Sequence, residues 1–240
     1  MGQILLVRHA QASFGSDDYD RLSELGFTQA SLLGRWFESC DTPIDRVMAG
    51  AMRRHHETAR QCLEQRGAPG APELNTDPRL NEFDHVEVFE VYRQSLQDAP
   101  AGNPHEPHGE QDGQAAPLSA VQLQRMFATA MERWMSGRHD SDYRDSWQAF
   151  RARCLDAFEE MASGTPRAKA IVVFTSGGVI AAICQRLLDL TDKATRELNW
   201  SLANTGVTRV LFSEGRRGLG YLNSTAHFDA ARVPHLLTYR

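Results

Sequence analysis

Two short apolar runs constrain the fold of this 240-residue chain more than any other feature of its sequence. Ile4-Leu5-Leu6-Val7 and Ala170-Ile-Val-Val-Phe174 are almost uniformly apolar, which is typical of strands that are buried on both faces. Segments with helical periodicity alternate with such runs along the chain. This alternation predicts an α/β fold, in which three layers, α/β/α, are built around a mostly parallel central sheet.

Periodicity, turn residues and capping residues predict the remaining elements. Strands are expected at 3–7, 45–49, 74–77 and 170–174, followed by a hairpin of 207–212 and 219–223. Helices are expected after an N-cap at Ser23 and at 51–66, 118–136, 144–163 and 179–190. Residues 99–117 are rich in Pro, Gly, His and Gln and are expected to form a surface loop.

Composition argues against several classes of partner and location. A net charge of −5 favours neither nucleic acid nor an anionic membrane as a partner. No apolar segment reaches the roughly 20 residues that a membrane span requires, and the N-terminus lacks the features of a signal peptide. The cysteines, Cys40, Cys62, Cys154 and Cys184, show no CxxC spacing. Three of the four lie in helix-like apolar stripes, which indicates small buried thiols in a reducing cytoplasm.

Arg8 and His9 directly follow the first apolar run. A parallel strand delivers the residues after it to the carboxyl edge of the sheet, where α/β proteins build their sites. A cation and an imidazole at that edge suit an anion, and a phosphoryl group above all. The dipeptide alone leaves a structural role open, in which Arg8 pairs with a carboxylate and His9 caps a helix.

The segment Gly50-Ala-Met-Arg-Arg-His-His-Glu-Thr58 places two arginines in the first turn of a helix. Free N–H groups and the positive end of the helix dipole gather there, and a guanidinium binds phosphate through two hydrogen bonds. Consecutive helical residues diverge by about 100°, so either Arg53 or Arg54 is expected to be exposed. The same divergence argues against His55 and His56 as a metal-binding pair.

Two further segments bring a carboxylate and a glycine-rich turn. Glu82 follows a short predicted strand, where a carboxylate could act as a general acid, although a loop Glu without a function fits the sequence as well. Thr175-Ser176-Gly177-Gly178 joins a strand to a helix, and its amides could approach an anion closely. Tight packing of helix on strand explains those glycines equally well. The turn matches neither GxGxxG nor GxSxG.

In this order, the segments resemble the histidine phosphatase superfamily, in its phosphoglycerate-mutase-like branch. The family opens with a strand and Arg-His-Gly, matched here by Arg8-His9-Ala10. Residues 22–30 match the family's Leu-Thr-x-x-Gly-x-x-Gln-Ala. Residues 50–59 match its Ser-Pro-Leu-x-Arg-Ala-x-x-Thr-Ala, and this alignment selects Arg54 over Arg53. The acid of Leu-x-Glu falls on Glu82, and Asn-Thr-x-Val-Thr matches 204–208.

The sequence departs from the family pattern at several positions, of which four stand out. Ala10 replaces the glycine of the opening signature, Gly50 replaces the serine before the second arginine, and the glycine after the acid is missing, with Val86 near that place. The fourth departure is the largest, because the family carries Ser/Thr-His-Gly-Gly where this chain has Thr175-Ser176-Gly-Gly. The second histidine of the family's pocket is therefore absent from that position.

The resemblance implies a phosphatase that hydrolyses phosphomonoesters through a phosphohistidine intermediate on His9. It implies that Arg8 and Arg54 contact the equatorial phosphoryl oxygens, and that Glu82 protonates the leaving oxygen. The residues expected to bind substrate are Gln11, Ser13, Ser176 and Gly177. No cofactor and no metal ion is expected.

Ser176 leaves a second function open. A serine hydroxyl is a neutral and shorter donor than a protonated histidine, so activity is expected to be reduced unless another group compensates, with His227 and His85 as candidates. The alternative is a catalytically impaired protein that binds a phosphorylated ligand or regulates through it. A phosphoglycerate mutase proper is disfavoured because the insertion lacks the mutase cap sequence.

The resemblance also implies the organisation of the chain. We expect a single α/β domain over residues 1–240, with a helical and loop insertion at about 86–145 over the site. That insertion and the loop 11–21 are expected to select the substrate, a small phosphorylated molecule or a phosphoprotein. The apolar stripe of 118–136 fits a core, a lid or a dimer face, which leaves a homodimer open.

Overall fold

The computed structural model describes residues 1–13, 20–67, 70, 72–98, 119–163 and 168–239. The strands in this part of the chain are β1 (Gly2–Arg8), β2 (Arg46–Ala49), β3 (Leu74–Thr76), β4 (Ala170–Thr175), β5 (Val207–Ser213) and β6 (Arg216–Ser224). The α-helices are α1 (Glu24–Ser39), α2 (Arg53–Arg66), α3 (His85–Gln97), α4 (Ala120–Met135), α5 (Trp147–Ser163), α6 (Gly177–Leu188), α7 (Asp192–Ser201) and α8 (Ala226–Ala230). Short 3₁₀ helices cover Pro78–Leu80, Asp140–Asp142 and Pro234–Leu236.

The six strands form one sheet in the order β3-β2-β4-β1-β5-β6. The β3, β2, β4 and β1 strands are parallel to one another, while β5 runs antiparallel to β1 and forms a hairpin with β6. The predicted α/β fold with a mostly parallel sheet is confirmed. Because β1, β2 and β4 point the same way, the residues that follow them emerge at one edge of the sheet.

The central strands are buried on both faces, as their apolar runs predicted. Leu5 and Val7 of β1 lie on one face with Phe174 of β4 and pack against α1 and α2, where Phe37 and Cys62 are fully buried. Ile4 and Leu6, whose side chains point to the opposite face, are also completely buried. This double burial fixes the strand register, since a slip by one residue would exchange the two faces.

The observed helix starts differ from the predicted ones by a few residues. The second helix was expected from residue 51 but begins at Arg53, because Met52 has an extended backbone with φ −69° and ψ 143°. The helix expected from residue 179 begins at Gly177. Ser23 caps α1 as predicted, its side chain accepting the N–H of Gly26. The sequence did not predict α3 and α7. These helices begin at the N-caps Asp84 and Thr191, whose side chains accept backbone N–H groups.

Two compact units make up the chain. The first comprises Met1–Glu82 and Arg151–Arg240 and contains the sheet. The second, Phe83–Phe150, has an aromatic core in which the Phe83 and Trp134 rings lie 4.8 Å apart. The insertion predicted at about 86–145 falls within this second unit, and the single-domain organisation stays a prediction. The predicted loop 99–117 lies outside the described residues.

Two expectations from composition concern thiols and membranes. Of the four cysteines, Cys62, Cys154 and Cys184 are buried, as their apolar surroundings predicted, and Cys40 is exposed. Across the ranges that the structure describes, we find no helix with the length and apolar character of a membrane span.

Candidate active site

His9 lies at the carboxyl edge of the sheet, immediately after β1. Its backbone N–H donates to the carbonyl of Thr175 on the neighbouring strand β4 (2.8 Å), and its side chain is 5 % exposed. The ring atom Nδ1 lies 2.8 Å from the carbonyl oxygen of Ala10. A carbonyl only accepts, so the proton of a neutral His9 ring resides on Nδ1. The lone pair is then on Nε2.

The surroundings of His9 keep its ring neutral. Burial lowers the pKa of His9 well below its usual 6.5, and the positive charges of Arg54 and Arg8 and the nearby His55 lower it further. The hydrogen bond to Ala10 raises the pKa but does not outweigh these contributions. At neutral pH the imidazole is therefore uncharged, the protonation state that a nucleophile needs.

Arg54 and Arg53 point in different directions from the first turn of α2, as the helical geometry predicted. The Arg54 side chain is 8 % exposed and that of Arg53 is 48 % exposed. Asp20 binds both residues, because its Oδ1 lies 2.6 Å from Arg54 Nη1 while its Oδ2 accepts the backbone N–H of Arg53 at 2.7 Å. The carboxylate thus occupies the N-terminal end of α2, where an anion is favoured.

A hydroxyl joins the His9 turn to α2. Thr58 Oγ1 accepts the N–H of Ala10 (3.0 Å) and donates to the carbonyl of Arg54 (2.6 Å). From the other side, Asn204 Nδ2 donates to the carbonyl of His9 (2.9 Å). Both Thr58 and Asn204 are fully buried, so these bonds hold the His9 turn and the first turn of α2 in one fixed arrangement.

Arg8 and Glu82 lie at the same edge of the sheet. Arg8 Nη1 donates to the carbonyls of Leu202 and of Tyr239, the latter at 3.0 Å. Glu82 Oε2 accepts the N–H of Gly178 (3.2 Å) in the first turn of α6. The turn before Glu82 is tied to β4, because Thr175 Oγ1 donates to the carbonyl of Leu80 (2.7 Å).

Ser176 is the N-cap residue of α6, but its side chain makes no capping bond to its own helix. Its Oγ lies 2.6 Å from Nε2 of His55, and both residues are fully buried. The rings of His55 and His9 are 5.8 Å apart. Burial lowers the pKa of His55 well below 6.5, and the charge of Arg54 and the nearby His56 lower it further. Among the described residues, Nδ1 of His55 is buried without a hydrogen-bond partner.

The sequence alone did not place His55 in this site. The adjacency of His55 and His56 argues against a shared metal ion and indicates no other role for His55. A usable signal was nevertheless present, because His55 follows Arg54 directly and stands where the family pattern has alanine. His227, one of the two histidines considered as compensating groups, instead contacts Thr205 Oγ1 at 2.9 Å. His85, the other, is an exposed residue at the start of α3.

The family model of the histidine phosphatase superfamily, branch 1, matches residues 4–118 and 110–225. The chain belongs to this superfamily. Its fold is similar to a phosphoserine phosphatase mutant from Entamoeba histolytica in complex with phosphoserine, with a TM-score of 0.63, 17 % identity and coverage of 95 % of this chain and 99 % of that one. No curated protein sequence gives a significant match.

Two further solved structures resemble this chain. Phosphoglycerate mutase from Bacillus anthracis gives a TM-score of 0.64 at 14 % identity and covers 96 % of both chains. Mycobacterial glucosyl-3-phosphoglycerate phosphatase in complex with inorganic phosphate gives 0.60 at 21 % identity, over 95 % of this chain and 99 % of that one. At these identities the likeness shows the fold.

The other residues predicted to bind substrate contact other residues of the chain. Gln11 Oε1 accepts the hydroxyl of Ser23 (2.8 Å), and the N–H of Ser13 donates to the carbonyl of Arg21 (2.7 Å). Gly177 permits a close approach, because a β-carbon there would overlap Asn199 Oδ1 of α7. The substrate-binding roles of these residues stay predictions. No group of three His, Cys, Asp or Glu in the described ranges could hold a metal ion.

Proposed function

We propose that this protein is a phosphatase that hydrolyses phosphomonoesters through a phosphohistidine on His9. The observation that carries the proposal is the bond between His9 Nδ1 and the Ala10 carbonyl (2.8 Å), which leaves the Nε2 lone pair available. Because burial and nearby guanidinium charges hold the ring neutral, this lone pair is present at physiological pH.

The proposed reaction has two displacements at phosphorus. In the first, His9 Nε2 forms a bond to phosphorus while the ester P–O bond breaks, and protonated Glu82 gives its proton to the leaving oxygen. In the second, water attacks the phosphohistidine and the P–N bond breaks, which returns the electron pair to Nε2. Glu82, now a carboxylate, accepts a proton from that water and regains its starting state.

The guanidinium groups supply the charge that such a reaction needs. A phosphoryl dianion beside His9 would be stabilised by Arg8 and Arg54, the same two charges that lower the pKa of His9. Phosphoryl transfer depends mainly on positioning and charge compensation, and both groups are held in place by hydrogen bonds before a substrate arrives. Neither step requires a cofactor.

We propose a small phosphomonoester or a phosphoprotein as the substrate. Phosphoserine is bound in one similar structure, and another is a glucosyl-3-phosphoglycerate phosphatase; both compounds carry a phosphate ester on a small carbon skeleton. An aryl phosphate such as p-nitrophenyl phosphate is therefore a suitable first probe, because its leaving group does not need a specific binding pocket.

The test compares hydrolysis of p-nitrophenyl phosphate by the wild type, His9→Ala and His56→Ala. We expect His9→Ala to lose turnover and His56→Ala to keep it, since His56 is a half-buried histidine that contacts Thr76 (3.2 Å). Rapid quenching in alkaline detergent should trap a phosphorylated wild-type protein whose label is retained in alkali and lost in acid. Equal rates for the wild type and His9→Ala would refute the proposal.

Ser176 favours a second candidate, a protein that binds a phosphorylated ligand without turning it over. A neutral hydroxyl at this position stabilises developing negative charge less than a cationic donor does. Phosphate binding measured by calorimetry, with hydrolysis no faster than that of His9→Ala, would support this candidate over the enzyme.

A further inference from the structure

The contact between His55 and Ser176 joins two elements that are distant in the sequence. His55 lies in the first turn of α2, while Ser176 lies between β4 and α6. Their 2.6 Å hydrogen bond is completely buried. An N-cap serine normally bonds the N–H groups of its own helix, so the turn of this hydroxyl towards His55 is a specific feature of the site.

This pair lies directly beside the proposed nucleophile. Arg8 and Thr175 are register partners on the parallel strands β1 and β4, so His9 and Ser176 leave the sheet next to each other. Neighbouring strands are about 4.8 Å apart, so the two residues start from adjacent places at the sheet edge. The 5.8 Å separation of the His9 and His55 rings agrees with that placement.

Gly50 provides the space for the His55 ring. A β-carbon at residue 50 would overlap Nδ1 of His55 and would lie 2.7 Å from the carbonyl oxygen of Leu80. Three positions at which the sequence departs from the family pattern, namely 50, 55 and 176, therefore form one contiguous cluster. The pattern has Ser, Ala and His at these positions, and this chain has Gly, His and Ser.

We propose that Ser176 and His55 act together as the hydrogen-bond donor to the phosphoryl group on His9. In this relay, Nε2–H of His55 donates to Ser176 Oγ, and the hydroxyl of Ser176 donates to a non-bridging phosphoryl oxygen. The inference rests on the phosphohistidine reaction proposed above. Ser176 is then a catalytic residue, whereas His55 is a positioning residue that acts through it.

The relay requires one direction of the His55–Ser176 bond, because a hydroxyl carries a single proton. If Nε2 of His55 accepted the single Ser176 proton, the serine would present only lone pairs to the anion and would repel it. When Nε2 carries the proton, the hydroxyl proton is left for the phosphoryl oxygen. The two hydrogen bonds then polarise one another, so the serine becomes a better donor than an isolated hydroxyl.

A double-mutant cycle tests whether His55 acts through Ser176. We expect His55→Ala and Ser176→Ala each to lower kcat for p-nitrophenyl phosphate by about 10²-fold, with much smaller changes in KM, because the donor matters most in the transition state. In the double variant we expect a kcat close to that of Ser176→Ala alone. Multiplied losses, or a His55→Ala variant with wild-type kcat, would overturn the relay.

Two further variants separate the relay from a structural role of the buried ring. His55→Gln places an amide N–H near the former Nε2 position and should recover most of the kcat that His55→Ala loses. The exchange variant His55→Ala/Ser176→His moves the imidazole to the family position and should also recover activity. Ser176→His alone should not, because its ring would collide with His55. Thermal unfolding checks that the variants are folded. If His55→Gln and His55→Ala/Ser176→His are both folded and neither recovers kcat, the relay is refuted.

Binding of orthovanadate distinguishes failure of the relay from failure of the phosphatase proposal. If the wild type turns over no faster than His9→Ala, the phosphatase proposal fails. The relay is then judged from the affinity for vanadate across the same double-mutant cycle. Non-additive losses of affinity support the relay, and additive losses refute it. If the wild type is active but His55→Ala matches it in both assays, the relay alone fails. An acid-stable phosphoserine at Ser176 would make the serine the nucleophile and would also refute the relay.

Discussion

The backbone of Gly50 lies against the His55 ring so closely that a methyl group at residue 50 would overlap Nδ1. The same methyl group would lie 2.7 Å from the Leu80 carbonyl, which belongs to the turn that positions Glu82. One glycine thus sets the position of an imidazole and its distance from the acid-bearing turn. This relationship makes Gly50 a position where a minimal substitution should affect both stability and turnover.

Gly50→Ala is expected to destabilise the fold by about 1–3 kcal/mol, the usual cost of forcing extra volume into a packed site. The ring of His55 would have to move, which would lengthen its bond to Ser176 and lower kcat. Thermal unfolding and hydrolysis of p-nitrophenyl phosphate measure the two effects. Gly218→Ala is the matched control, because a β-carbon there meets no atom within 4 Å. Equal melting temperatures for the two variants would contradict the prediction.

Arg54→Ala and Arg53→Ala should have very different effects although the residues are adjacent. Loss of Arg54 removes a buried charge beside His9, and we expect kcat/KM to fall by about 10²–10³-fold. Arg53 is exposed and pairs with Glu57 at 2.7 Å, an ion pair of the kind that contributes little, so Arg53→Ala should stay within about threefold of the wild type. Steady-state kinetics decide, and similar losses in both variants would argue against the assigned roles.

The stability of the protein should decrease in mild acid because of buried histidines. Burial lowers the pKa of His227 to about 4, against 6.5 when the chain is unfolded. Between these values the unfolded state binds a proton that the folded state does not, so folding free energy is lost as the pH falls from 6.5 towards 4 and is fully present above 6.5. Urea denaturation at a series of pH values measures this slope.

The variant His227→Gln should flatten the pH dependence of unfolding, because its amide does not titrate and still reaches towards Thr205. His235 is exposed, so His235→Gln serves as the control and should leave the slope unchanged. An unaltered slope in His227→Gln would show that other groups cause the acid sensitivity.

The sequence predicted the sheet well because its central strands have a simple physical signature. Strands such as β1 and β4 are buried on both faces and are therefore almost purely apolar, and Ser23 before α1 is a strong capping signal. The start of α2 was harder to locate, because Met52 gives no side-chain cap. The cap of α2 comes instead from Asp20, 33 positions away from Arg53, a contact that no local pattern reveals.

The candidate site was only partly predictable, because some of its contacts also join residues that are distant in the sequence. Arg8, His9 and Arg54 follow strands or begin a helix, so local position alone brings them to the sheet edge. The contact of His55 with Ser176 spans 121 positions and depends on the absence of a side chain at Gly50. Each departure from the family pattern, taken alone, does not indicate that positions 50, 55 and 176 are in contact.

The protonation state of His9 gives a last prediction, which can be measured without substrate. Its pKa is lowered well below 6.5, first by burial and then by Arg54, so the ring should stay neutral, with its proton on Nδ1, as the pH falls through 6.5. Nitrogen-15 NMR of labelled histidine reports both the tautomer of the His9 ring and the pH midpoint of its titration. Arg54→Ala should raise the midpoint because it removes a positive neighbour, whereas Arg53→Ala should not. A midpoint at or above 6.5 in the wild type would mean that the ring is not held neutral.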